Sequence, residues 1–147
     1  MTKEKEQVGE FVFAQFDENA GGIPHPSRTI ISKKFGYIFN PWANGRMVFK
    51  SASASHATYK NMAKLSEENE DIKARFDFWV LRTKEELYDY ESDPNALNNL
   101  IDDPKYAEIA VQLRKELGNH LKTTNDYVFE AFENRENAAF LNQWMKK

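Results

Sequence analysis

Five consecutive residues, Pro24-His25-Pro26-Ser27-Arg28, hold the two side chains best suited to grip a ligand. His25 sits between prolines in a loop loosened by Gly21-Gly22, and its imidazole can donate or accept near neutral pH. Loops of this kind on rigid scaffolds often carry function. The plainer reading is a solvated loop histidine. Arg28 offers a planar guanidinium that matches a sulfate or a carboxylate through two parallel bonds. Its plainer reading is an arginine that opens a strand and pairs with a neighbouring carboxylate. Asn19 opens the same loop, so His25, Arg28 and Asn19 form the candidate substrate-binding set.

No catalytic or metal constellation accompanies them. His56 and His120 lie far apart from His25 without the H-x-x-x-H or C-x-x-C spacing of a zinc site. The sequence has no cysteine, which removes thiolate chemistry and any disulfide framework and leaves the redox compartment unreadable. Asp102-Asp103-Pro104 reads as a helix start, since Asp is a favoured N-cap and Pro fits the first helical position. The run Glu67-Glu68-Asn69-Glu70-Asp71 reads as a solvated helix end. Trp42, Trp79 and Trp144 could form a sugar platform, although scattered aromatics more commonly build a core.

The elements that must position these residues follow from composition and period. At 147 residues, 41% hydrophobic and 14% aromatic, the chain suits one domain spanning 1–147, with a helical tail over 127–147. A net charge of −3 points to no nucleic-acid footprint, and no apolar run approaches the roughly 18 residues of a membrane span. The first ten residues lack the apolar core of a signal peptide. Strands are expected near residues 10–16, 28–32, 35–40 and 86–90, with a loop over 17–26, a tight turn at Lys33-Lys34 and a short returning strand at Met47-Val48-Phe49. Helical spacing runs from Tyr59 to Leu65 and resumes through Arg75, with an extended stretch expected after it. The clearest helix is 105–122, where Tyr106, Ile109, Leu113, Leu117 and Leu121 recur at three- and four-residue steps. The fold class is α+β: a small antiparallel sheet of about four strands packed against that helix, with further short helices.

The stretch RTKEELYDYESDPNALNNLIDDP, residues 82–104, carries a further signal. Its Glu86-Leu87-Tyr88-Asp89 run, the Asp93-Pro94 turn and the Asn98-Asn99-Leu100-Ile101 return resemble the C-terminal signature of the type I sulfatases. FGYIFNPW before it, DDPKYAEIAVQLRKEL after it and a later Thr124-x-Asp126 extend the likeness over roughly residues 23–126. The layout is most similar to the N-sulfoglucosamine sulfohydrolase branch. Ala96 departs from the family, which usually has Glu two residues after that proline.

The resemblance implies a parent enzyme that hydrolyses sulfate esters or sulfamates, on sugars of the glycosaminoglycan type, in the periplasm or secreted. Such enzymes use a formylglycine made from Cys or Ser in a C/S-x-P-S-R motif, beside a carboxylate-bound calcium ion. Residues 24–28 mimic that motif, but Pro24 stands where the nucleophile belongs and cannot be oxidised to an aldehyde. The expectation is therefore a C-terminal subdomain without its catalytic domain, inactive alone, needing no cofactor and prone to self-association. His25, Arg28 and Asn19 would then touch the sulfated sugar, with His25 exposed in the isolated chain. The alternative is a free-standing carbohydrate- or protein-binding module.

Overall fold

The computed structural model describes residues 11–18, 22–49 and 52–146. Four strands, β1 (Val12–Glu18), β2 (Pro24–Ile31), β3 (Phe35–Phe39) and β4 (Glu85–Asp89), form one antiparallel sheet in the order β1-β2-β3-β4. Helices α1 (Ala57–Leu65) and α2 (Glu70–Leu81) lie between β3 and β4 in the chain. After β4 come α3 (Ala107–Thr123), α4 (Phe129–Glu133) and α5 (Ala138–Trp144). The α+β sheet-and-helix architecture is the one the sequence calls for.

The alternation of side chains along each strand sorts the sheet into two faces. Ile30, Tyr37, Phe39 and Leu87 turn to one face and are fully buried with Leu113, Leu117 and Leu121 of α3. Val128, Ala131, Phe132, Leu141 and Trp144 from the last two helices join the same core. The exposed side of α3 is the expected one, with Lys105 just before it and Glu108, Gln112, Lys115 and Asn119 along it in solvent. Gly118 allows close packing: a Cβ there would lie 3.0 Å from Phe132 Cε1.

Local chemistry sets the element ends. Ser32 N–H donates to the Phe35 carbonyl at 2.8 Å, closing a two-residue turn over Lys33-Lys34. The Asn69 side chain accepts from the N–H groups of Asp71 and Ile72, both at 3.0 Å, and so caps α2. Asp103 accepts from Lys105 N–H at 3.0 Å where a single 3-10 turn, Pro104–Tyr106, leads into α3. Asp93 organises its turn by accepting from Leu97 and Asn98 N–H, both at 2.7 Å, four and five residues on.

Three expectations are corrected. Residues 76–81 continue α2 as helix, because Ile72, Phe76 and Val80 share a partly buried stripe and Asn69 starts the helix early. Met47-Val48-Phe49 forms no strand; Phe49 N–H instead donates to the Val80 carbonyl at 2.6 Å. The loop placed over 17–26 is shorter than that at both ends, since β1 reaches Glu18 and β2 begins at Pro24. Between the pairs Phe16↔Ser27 and Glu18↔Pro24, β1 advances two residues and β2 three, which is a bulge. β3 pairs with β2 only from Arg28 onward, so along 24–27 one side of β2 needs no ladder bond and tolerates proline.

Candidate functional site

His25 lies in the bulged stretch of β2. Its ring is 1% exposed, wedged against Trp42 and Phe49 with centroids at 4.8 and 5.3 Å. Nδ1 lies 3.1 Å from the Ile23 carbonyl oxygen and Nε2 3.2 Å from that of Val48. A neutral imidazole donates through one nitrogen at a time, and each nitrogen here already faces a backbone acceptor. The exposed, sugar-binding His25 expected from the sequence is thus corrected: it ties β2 to the segment after β3.

Arg28 is corrected in the same way. It is 3% exposed, with Nε donating to Asp126 Oδ2 at 2.6 Å and Nη2 to Asp126 Oδ1 at 3.1 Å. Nη1 donates to the Phe16 and Ser27 carbonyls and pairs with Asp17 at 2.8 Å. The fork is filled by protein groups, so a substrate carboxylate or sulfate finds no free edge. Burial disfavours the Asp17 carboxylate, yet hydrogen bonds from Tyr127 and Arg28 outweigh it and hold its pKa below the usual range. Burial and the Asp17 contact push the Tyr127 phenol up to about 12. Asn19 lies outside the described residues. His120 stacks on Phe13 at 3.8 Å, a packed histidine as its place on the helix suggests.

One cleft lies on the sheet face turned away from α3. It encloses about 240 Å³, with Trp42, Phe49 and Trp79 as apolar wall and Thr29, Asn40 and Arg82 as polar lining. Beneath it runs a connected network. Trp42 Nε1 donates to Ser27 Oγ at 3.2 Å, and Ser27 donates to Asn40 Oδ1 at 2.7 Å. Asn40 Nδ2 donates to Glu86 Oε1 at 2.9 Å. Glu86, which is 0% exposed, also accepts from Tyr88 at 2.7 Å and from both Nε and Nη2 of Arg82. A buried carboxylate survives only with such complete pairing.

Arg82 stands out in this arrangement. As the residue that ends α2 it adopts φ 53 and ψ −177, a region populated almost entirely by glycine. Holding a non-glycine residue there costs on the order of 1–3 kcal/mol and requires surrounding structure that fixes it. The two bonds to Glu86 and the Phe78 ring 5.2 Å from its Cζ supply that constraint. The sequence carried no signal for this strain; of the three tryptophans weighed as a sugar platform or as core, Trp42 and Trp79 line the cleft.

Among the described residues no group of three or more His, Cys, Asp or Glu converges to hold a metal ion. With no cysteine in the chain and proline in the motif-like position, its residues do not fit the formylglycine and calcium chemistry that the sulfatase likeness implies.

No family model and no curated protein matches the chain. Solved structures do. A 2-O GAG sulfatase is similar over 84% of this chain at 17% identity, with a TM-score of 0.51. Two candidate sulfatases match with lower scores: yidJ of Bacteroides fragilis over 83% of the chain (13% identity, TM-score 0.47) and one of Bacteroides thetaiotaomicron over 90% (16% identity, TM-score 0.40). The chain spans only 18%, 18% and 19% of these three structures. At such identity the likeness establishes a shared fold: the sheet and helices seen here also occur as a minor part of a sulfatase.

Proposed function

We propose that this chain is the C-terminal subdomain of a sulfatase, and that it supports a catalytic domain carried by another part of the protein. The observation that carries this reading is the correspondence of 84% of the chain with 18% of a 2-O GAG sulfatase. The sequence signature at 86–101 supports it, because it spans β4 and the segment that closes the outer edge of that strand. Glu86 lies buried in β4, and Asn99 pairs with the edge of that strand, its Oδ1 accepting from Leu87 N–H at 2.9 Å. β1 forms one edge of the sheet and leaves Val12 60% exposed, an apolar side chain that a neighbouring domain would cover.

In this reading the formylglycine nucleophile and the calcium carboxylates belong to the catalytic domain, and the parent acts on sulfate esters or sulfamates of glycosaminoglycan-like sugars. The N-sulfoglucosamine branch is its finer form. The test has two parts. The purified 147-residue chain should turn over no aryl sulfate above a boiled control. The protein extended upstream along its reading frame should do so, with sulfamate release from N-sulfoglucosamine marking the branch. An upstream frame without a C/S-x-P-S-R motif, or turnover by the chain alone, would sink the proposal.

A further inference from the structure

We propose that the cleft walled by Trp79 and Arg82 is a subsite for one uncharged pyranose ring. Three features of the cleft lead there. First, most of its polar groups are already spent on one another: Ser27 and Asn40 are saturated within the network that ends on Glu86. Two are left over. The Thr29 hydroxyl and Arg82 Nη1 have no hydrogen-bond partner among the described residues, and both residues line the cleft.

Second, the direction of Arg82 is fixed. Glu86 takes Nε and Nη2, one edge of the planar fork, so Nη1 points away from Glu86. The arginine side chain is 26% exposed while its partner is fully covered, which places the free edge on the accessible side. Those same bonds hold the unfavourable backbone at Arg82, and such outliers cluster where a ligand is clamped.

Third, the charge balance selects the ligand. Glu86 neutralises Arg82, so the cleft offers directional donors without a net positive field. A sulfate or carboxylate gains little there; hydroxyl groups accepting from Nη1 and exchanging bonds with Thr29 suit it. Trp79 and Phe49 supply an apolar wall against which the C–H face of a sugar ring packs. At about 240 Å³ the cleft is below the span of drug-sized pockets and takes one ring. The cleft alone defines this subsite, whether or not the chain belongs to a sulfatase.

The test follows the indole N–H signals of the three tryptophans while the chain is titrated with methyl glucoside, methyl galactoside and N-acetylglucosamine. At least one sugar should shift the Trp79 signal saturably and leave Trp144 unmoved. Trp79→Ala and Arg82→Lys should each weaken binding about tenfold or more, a change of about 1.4 kcal/mol. Thr29→Val, which keeps shape and removes the hydroxyl, guards against misfolding of the other two and should weaken binding as well. Sodium sulfate should neither shift Trp79 nor compete. No saturable shift with any of the sugars, equal shifts at Trp144, unchanged affinity in Thr29→Val, or competition by sulfate would each overturn the proposal. Catalysis by the longer protein is a separate readout, so failure here leaves the sulfatase reading intact and the reverse also holds.

Discussion

At the scale of single residues, four charged side chains of this chain work inward. Arg28, Glu85, Glu86 and Asp89 are all buried, and each is met by partners from other elements or from the turn that follows. Removing one partner from such a set leaves the other uncompensated, which is why these groups hold the sheet together more than they adorn it. Ala96 is the opposite case, a residue tolerated at a cost. It sits at φ 50 in the turn that Asp93 organises. The left-handed region costs a residue with a Cβ about 1–2 kcal/mol. Glycine there would forgo that cost but lose about 0.4–1 kcal/mol through its freer unfolded chain. Ala96→Gly should therefore stabilise the protein by up to about 1.6 kcal/mol, read as a higher urea midpoint at unchanged slope. A lower midpoint would mean that the Ala96 methyl makes a contact worth more than its backbone strain.

At the scale of elements, β4 shows how far the sequence could be read. Its strand character was visible in the alternation of apolar and acidic residues. That all five of its residues are buried was not, because burial of its carboxylates depends on residues far away: Tyr37 donates to Glu85 Oε1 at 2.5 Å and Arg114 to the same atom at 2.6 Å. The free edge of β4 is closed by the next segment, where Asn99 bonds to Leu87 N–H and Leu100 N–H donates to the Leu87 carbonyl at 2.8 Å. α3 was legible because its period alone separates a buried face from a wet one. The end of α2 was not, since Phe76, Phe78 and Val80 fit a strand as well as a helix and only packing decides. The candidate cleft was hidden for a similar reason: it joins β2, β3 and α2 residues that no local pattern links. For α3 the face assignment gives a sharp expectation. Leu117 is 1% exposed in the core, and its truncation to Ala should cost about 2–5 kcal/mol. Lys115, on the solvent side, should change stability by no more than about 0.5 kcal/mol on replacement by Ala. Similar small losses from both would show that the helix does not press this face on the sheet.

At the scale of the whole molecule, two ion clusters join parts distant in sequence. One holds Asp17 of β1 and Asp126 after α3 around Arg28; the other holds Glu85 of β4 between Tyr37 of β3 and Arg114 of α3. Burial alone would raise the Glu85 pKa, but the bonds from Arg114 and Tyr37 together outweigh it and hold it below the ordinary carboxylate value. Asp17 is lowered as well, against its own burial. A carboxyl whose pKa is lower folded than unfolded binds fewer protons in the folded state, so it contributes stability above its unfolded pKa. That contribution is lost as pH falls from about 4.3 for Glu, or about 3.9 for Asp, through the folded value. The urea midpoint should thus fall steeply below about pH 4.3 from its value near neutrality. Glu85→Gln removes one of these groups and leaves Arg114 without its charge partner. Its midpoint should be lower than wild type near neutrality, with a shallower acid decline, so that the two curves converge in acid. Curves that stay parallel through the acid range would show that Glu85 does not carry the link between β4 and α3.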